Sequence, residues 1–234
     1  QRAAALVEDG AFWREVILLA VGRLVYLSGD TDKPLALVGE LCPKEPADNA
    51  SAWQKVWLAG DILLELGLNR VREGHLGRDL LERAQCRLVD LLRGGHLEPV
   101  ERAEAGNTLS RLGDPRFRAN AWYLPDEPLL GFVKIPEGSF LMGEGDEQHE
   151  LTLPMYYMAR YPVTVAQFRA FVEASGYEPR DRDSLRGVDT HPVVDVTWHD
   201  ALAYCKWLTE TLEAWEETPE PLATLLREKG WQVT

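Results

Sequence analysis

Apolar residues return every three to four positions along the first half of the chain, the period of helices that turn one face to a core. From Phe12 the run Phe12, Val16, Leu19, Ala20, Leu24 and Leu27 predicts a helix with this stripe inward, ended by the turn Ser28-Gly29-Asp30. A second helix is expected over 34–41. It stops before Cys42-Pro43, because a residue preceding proline avoids helical backbone. A third runs over 53–66, with Asn49 or Ser51 as its cap and Gly67 as its end. Residues 77–92 predict a fourth, with Leu80, Leu81, Ala84, Leu88 and Leu91 inward, and a fifth opens at Glu98-Pro99 and ends at Gly113-Asp114-Pro115. The segment Trp13-Arg14-Glu15-Val16-Ile17-Leu18-Leu19-Ala20 aligns with Trp53-Gln54-Lys55-Val56-Trp57-Leu58-Ala59-Gly60 at an offset of 40 residues. Such a period suits an α-solenoid of helix pairs, with an irregular helical bundle as the alternative.

Near residue 115 the pattern changes. Proline, glycine and aromatic residues punctuate 114–128, which reads as a linker. Phe132-Val133-Lys134-Ile135 and Ser139-Phe140-Leu141-Met142 are strand candidates joined by Pro136-Glu137-Gly138 as a hairpin turn, with a third strand over 151–158 and a loop over 143–150. Thr164 and Gln167 fit a capping box for a helix that buries Phe168, Phe171 and Val172 and stops at Gly176. Thr197 caps another, with Asp200 in its first turn and Ala201, Tyr204, Cys205 and Leu208 inward, entered by an extended stretch over 192–196. The fold class is therefore α plus α+β: a helical module over 1–113, a linker over 114–128 and an α+β module over 129–234.

Composition adds limits. The 234 residues are 45% hydrophobic and 27% charged, which is ordinary for a globular protein. Net charge is −13, divided as −4 over 1–128 and −9 over 129–234, and a surface of that sign repels nucleic-acid phosphates. The longest apolar stretch, 16–27, is interrupted by Gly22 and Arg23 and falls short of the ~20 residues that span a bilayer. The N-terminus, Gln1-Arg2-Ala3-Ala4-Ala5-Leu6, lacks the features of a signal peptide and is expected to lie inside a longer polypeptide. Cys42, Cys86 and Cys205 are odd in number and form no C-x-x-C pair, which fits a reducing, cytoplasmic setting.

Candidate chemistry is sparse. Cys205 falls on an apolar helical face and reads as a small buried hydrophobe rather than a reactive thiol. His191, His199 and Cys205 have no metal-ligand spacing. Glu144, Asp146, Glu147, His149 and Glu150 form an acidic loop without the order of a calcium loop. Asp195 and Asp200 flank Thr197, where capping explains them better than acid–base catalysis. Aromatic residues stand out: Trp122, Tyr123, Tyr156, Tyr157, Tyr161, Tyr177 and Trp231. Most are expected in the core. Tyr156, Tyr157, Tyr177 and Trp231 are the candidates for a recognition surface, since Tyr and Trp bring large contact area with little entropy to lose. No catalytic, cofactor-binding or metal-ligating residue is expected.

Three motifs carry a resemblance. Ile135-Pro136-x-Gly138-x-Phe140-x-Met142-Gly143, Tyr161-Pro162-Val163-Thr164-x-x-Gln167-Phe168-x-x-Phe171-Val172 and the stretch from His191-Pro192 through Thr197-Trp198-x-Asp200 to Tyr204-Cys205-x-Trp207-Leu208 resemble, in order, the formylglycine-generating enzyme (sulfatase-modifying factor) domain. The resemblance implies a variant of the C-type lectin fold. Family members continue with a Leu-Pro-x-Glu-x-Glu-Trp segment and calcium-binding regions, and the catalytic members with a copper-binding cysteine pair. No position of this chain matches those parts, so no catalytic residue carries over, no cofactor is expected in this chain, and the resemblance leaves room for calcium only in the missing C-terminal half. The module is expected to be incomplete at its C-terminal end, and to be completed by the remainder of its own polypeptide or by a second chain. Arg102-Ala103-Glu104-Ala105-Gly106 through Leu112-Gly113-Asp114-Pro115-Arg116 is similar to the junction that follows helical regions in bacterial signal-transducing NTPases and defence proteins. The implied function is a non-catalytic module that recognises a protein or small ligand within a larger bacterial signalling or defence protein. The alternatives are an oxygen- and copper-dependent formylglycine-generating oxidase with its cysteines beyond residue 234, or a scaffold for oligomerisation.

Overall fold

The computed structural model describes residues 11–45 and 48–234. The sequence from Gln1 to Leu6 and the side chain of Phe12, both considered above, lie outside the described residues. The chain divides into two compact units, Gln1–Pro115 and Arg116–Thr234.

The first unit is helical: α1 (Ala11–Ser28), α2 (Asp32–Leu41), α3 (Ala50–Leu66), α4 (Leu68–Glu73), α5 (His75–Gly94) and α6 (Pro99–Leu112). Asn49 rather than Ser51 caps α3, its Oδ1 accepting from Ala52 N at 2.9 Å. Helix α3 is the axis. It packs against α1, α2, α5 and α6 and buries Trp53, Val56, Leu58, Ala59, Ile62, Leu63 and Leu66 around its circumference, as a helix apolar on all sides must. A helix surrounded in this way makes a bundle, whereas in a solenoid each pair touches only its neighbours. Gly60 permits the closest approach, since a Cβ there would stand 2.9 Å from Thr108 Cγ2 and 3.2 Å from Leu88 Cδ1.

Helix α1 turns a different face inward from the one its pattern predicts. Ile17, Val21 and Val25 are buried, while Val16, Leu19 and Leu27 are exposed. The segment is apolar on several sides, so spacing by itself does not choose among them. A polar network does. Arg14 Nε and Nη2 donate to Asp61 Oδ2 at 3.0 and 2.8 Å, Thr108 Oγ1 donates to Asp61 Oδ1 at 2.8 Å, and Trp57 Nε1 donates to Thr108 Oγ1 at 3.1 Å. Arg14 also lies over the Trp57 ring, 4.7 Å from its centroid. This network ties α1, α3 and α6 together and fixes the rotation of α1.

The second unit starts earlier than the expected module. Residues of the supposed linker form β1 (Phe117–Arg118), which pairs with β2 (Leu124–Pro125), and place Leu124 in the core. Trp122 and Tyr123, in left-handed backbone (φ 51° and 57°), turn the chain between these strands. The Trp122 ring meets Trp207 and Trp215 edge-on at 6.1 and 5.4 Å, packing that offsets the backbone strain.

The strands that follow are β3 (Phe132–Ile135), β4 (Gly138–Met142), β5 (His149–Leu153) and β6 (Tyr156–Ala159). Pro136-Glu137-Gly138 is not a hairpin turn. β3 pairs with β6 and β4 with β5, all antiparallel, and the register continues unbroken from Phe132↔Ala159 through Ile135↔Tyr156 and Gly138↔Leu153 to Met142↔His149. These strands form one long ribbon, folded back at 143–148. Pro136 on one side and Pro154 on the other interrupt it, since proline cannot donate to a ladder. The single strand expected over 151–158 is accordingly split in two.

Helices α7 (Val165–Ser175), α8 (Trp198–Ala214) and α9 (Glu220–Lys229) complete the unit. Thr164/Gln167 and Thr197/Asp200 both form capping boxes, and Gly176 ends α7 in left-handed backbone. Phe168, Phe171, Tyr204, Leu208, Leu212, Leu222, Leu225 and Leu226 make the core. On α8, Ala201 is exposed rather than inward, and Cys205 is half-buried.

Candidate functional site

The second unit holds a cavity of about 530 Å³ between the β3·β6 end of the ribbon and the helical core. Its walls are mainly apolar: Leu208 and Leu212 from α8, Leu222, Leu225 and Leu226 from α9, and Phe132 from β3. The ribbon reaches it because Phe132 packs against the core, while the distal β4·β5 end is exposed at every residue.

Three of the four recognition candidates converge on this cavity. Tyr156, Tyr157 and Trp231 line it, all half-buried, and the rings of Tyr157 and Trp231 meet edge-on at 5.9 Å. Trp231 is positioned by its backbone N–H, which donates to Leu225 O at 3.1 Å beyond the end of α9. Tyr177 is elsewhere and does structural work. Its ring packs on Phe171 at 5.0 Å and its hydroxyl donates to Asp200 Oδ1 at 2.8 Å.

The groups with chemical potential are few and quiet. Cys205 lines the cavity, but burial pushes its thiol pKa up, away from the nucleophilic thiolate. Burial likewise raises the Tyr204 phenol well above its ordinary range, and no described hydrogen bond uses its hydroxyl. At the rim, Arg160 faces Glu127 at 3.4 Å and Tyr161 donates to the same carboxylate at 2.8 Å. Burial and that carboxylate together raise the Tyr161 pKa.

The other candidates fall outside the cavity. Asp200 accepts from Thr197 N (2.8 Å), Thr197 Oγ1 (2.6 Å), Tyr177 Oη (2.8 Å) and Arg180 N (3.3 Å). Burial opposes its charge, yet these donors prevail and hold its pKa at about 2. A carboxylate so engaged is a cap, not a proton shuttle. Asp195 is exposed, in left-handed backbone. The acidic loop with Glu144, Asp146, Glu147, His149 and Glu150 is exposed throughout. Among the described residues no group of three or more His, Cys, Asp or Glu is placed to hold a metal. Copper held by a cysteine pair does not fit the second unit either, since Cys205 is its one cysteine.

Sequence reasoning missed α9, which supplies three walls of the cavity. Pro219-Glu220 at its start, Leu222, Leu225 and Leu226 at helical spacing and Gly230 at its end were the available signals.

The three motifs lie within the ribbon, α7 and α8, and the match to known proteins covers the same region. The model of the sulfatase-modifying factor enzyme 1-like domain matches residues 123–233. This part of the chain is a sulfatase-modifying factor domain. The serine/threonine-protein kinase Pkn1 of Chlamydia trachomatis serovar L2 is 32% identical over 120 residues, covering 39% of this chain and 20% of that protein. The formylglycine-generating enzyme of Mus musculus is 26% identical over 138 residues (36% of this chain, 37% of the enzyme), and that of Mycobacterium tuberculosis 27% identical over 139 (34% and 46%). The chain thus spans from a fifth to under half of the length of these relatives. A helical region precedes the sulfatase-modifying factor domain, whose sheet content is small and ribbon-like. No helix among the described residues is long and apolar enough to cross a membrane.

Proposed function

We propose that this chain is a non-catalytic recognition module of a larger signalling or defence protein, working in the cytoplasm, with a partial C-type lectin-like fold in its second unit. One observation carries the reading: the aromatic side chains Tyr156, Tyr157 and Trp231 converge on a mainly apolar cavity, where burial holds the Cys205 thiol back from its thiolate and Arg160 is paired with Glu127. Binding sites are concave and mostly apolar, with few polar groups, and activated nucleophiles need the opposite environment. Similarity over 120 residues to a protein named as a serine/threonine-protein kinase supports the signalling context.

The second reading is a formylglycine-generating oxidase, favoured by the similarity to enzymes of that name. The test is to incubate the native polypeptide that carries this chain in air, with and without Cu(I), with a cysteine-containing peptide of sulfatase type, and to follow the peptide by mass spectrometry. Recognition predicts an unchanged cysteine. Conversion to the aldehyde would overturn it.

A further inference from the structure

The distal end of the ribbon sets a thioether opposite an imidazole. Met142 and His149 are the last partners in the β4·β5 register. Directly opposite residues share a face, so the two side chains leave side by side, with Cβ atoms about 5 Å apart. Phe140 and Leu151 flank them on that face, while Leu141 and Glu150 leave from the other. Both Met142 and His149 are exposed.

The loop between the strands presets the imidazole. His149 Nδ1 lies 3.0 Å from Glu147 O. A carbonyl oxygen can only accept, so Nδ1 carries the proton and the neutral ring keeps its lone pair on Nε2, which no described partner engages. The carbonyl is itself held in place. Glu147 N donates to Glu144 O and Gln148 N to Gly145 O, both at 3.2 Å. Gly143, at φ 89°, lets Glu147 O come so near that a Cβ would stand 2.6 Å from it. A ring N–H given to a backbone carbonyl is the arrangement that orients metal-ligating histidines and leaves the other nitrogen to the metal.

The donors decide which ion fits. A thioether is a soft, uncharged ligand that selects Cu(I), and imidazole serves copper equally. Calcium takes roughly six to eight oxygens, and structural zinc about four nitrogen, sulfur or oxygen ligands. The pair offers neither set. Glu144, Asp146 and Glu147 in the adjoining loop add a negative potential that draws a cation to this end of the ribbon. We infer that Met142 Sδ and His149 Nε2 together bind a soft monovalent metal ion, Cu(I) or its analogue Ag(I), with solvent completing the coordination. The site lies apart from the cavity, and it is distinct from the cysteine-held copper of the oxidase reading.

The experiment uses the native polypeptide that carries this chain, isotope-labelled in its methionine methyl groups and histidine rings. Exposed thiols such as that of Cys86 are first alkylated with iodoacetamide, since they would compete for the ion. Ag(I) is added as its nitrate in chloride-free buffer and followed by NMR. The Met142 methyl and the His149 Nε2 signals are expected to move together and to saturate, while the methyl of Met158, also exposed, stays in place. Met142→Leu is expected to abolish the His149 response, and His149→Gln the Met142 response. Both side chains are exposed, so neither change disturbs the core. Zn(II) is expected to leave the Met142 methyl unshifted. A response from one residue without the other, an equal response from Met158, or a His149 shift that persists in Met142→Leu would overturn the assignment. These outcomes are independent of the aldehyde assay, which judges the recognition reading.

Discussion

At the scale of single residues, Asp200 gathers the largest concentration of polar contacts in the second unit. Its side chain is 1% exposed yet lies shallowly beneath the surface, and its pKa falls from the ordinary 3.8 to about 2. A depressed carboxylate pKa adds stability above the unfolded value, and that stability is lost as pH falls through the folded value. Allowing for solvent screening, Asp200 contributes about 1–2 kcal/mol at neutral pH. Asp200→Asn is therefore expected to cost about that much at pH 7, and to flatten the decline in stability between about pH 4 and 2, as denaturant unfolding at several pH values would show. The capping role was legible from Thr197-Trp198-His199-Asp200. The role of Tyr177 was not: its hydroxyl reaches Asp200 across 23 positions, and only folding brings the two together.

At the scale of elements, helix existence was legible and helix rotation was not. For α1 the sequence offers Val16, Leu19 and Leu27 as readily as Ile17, Val21 and Val25, and the choice depends on Arg14 meeting Asp61, 47 positions away. Ile17→Ala is expected to destabilise the helical unit by about 2–4 kcal/mol, and Leu19→Ala, on the exposed face, by under ~0.5 kcal/mol. Reversal of that order in urea melts would return α1 to its predicted orientation. Gly60 gives a second test, since a methyl group there would press on Thr108 and Leu88. Gly60→Ala is expected to cost about 1–3 kcal/mol through overpacking, despite alanine's better helix propensity. In the ribbon, the short apolar run Ser139-Phe140-Leu141-Met142 was readable as a strand, but its partner was not. Pro136 looks like a turn residue in sequence, and the continuous register shows it to be a break in a longer pairing.

At the scale of the whole molecule, charge is the property that sequence fixes most fully and local structure moderates least. The chain carries 38 acidic and 25 basic side chains. Many of its ion pairs, such as Arg186–Asp183 and Lys206–Glu210, join exposed side chains, where a pair is worth about 0–1 kcal/mol. Salt weakens such pairs but also screens repulsion among the unpaired acids, so the two effects oppose each other. With a net charge of −13 the repulsive part is the larger, because it accumulates over every unpaired carboxylate within reach. Raising ionic strength from about 0.01 to 0.15 M shortens that reach from about 30 to 8 Å. Melting temperature at pH 7 is therefore expected to rise with added sodium chloride by a few degrees, as differential scanning fluorimetry would record. A fall would mean that the ion pairs, including the partly buried Arg14–Asp61 contact, outweigh the excess of acids.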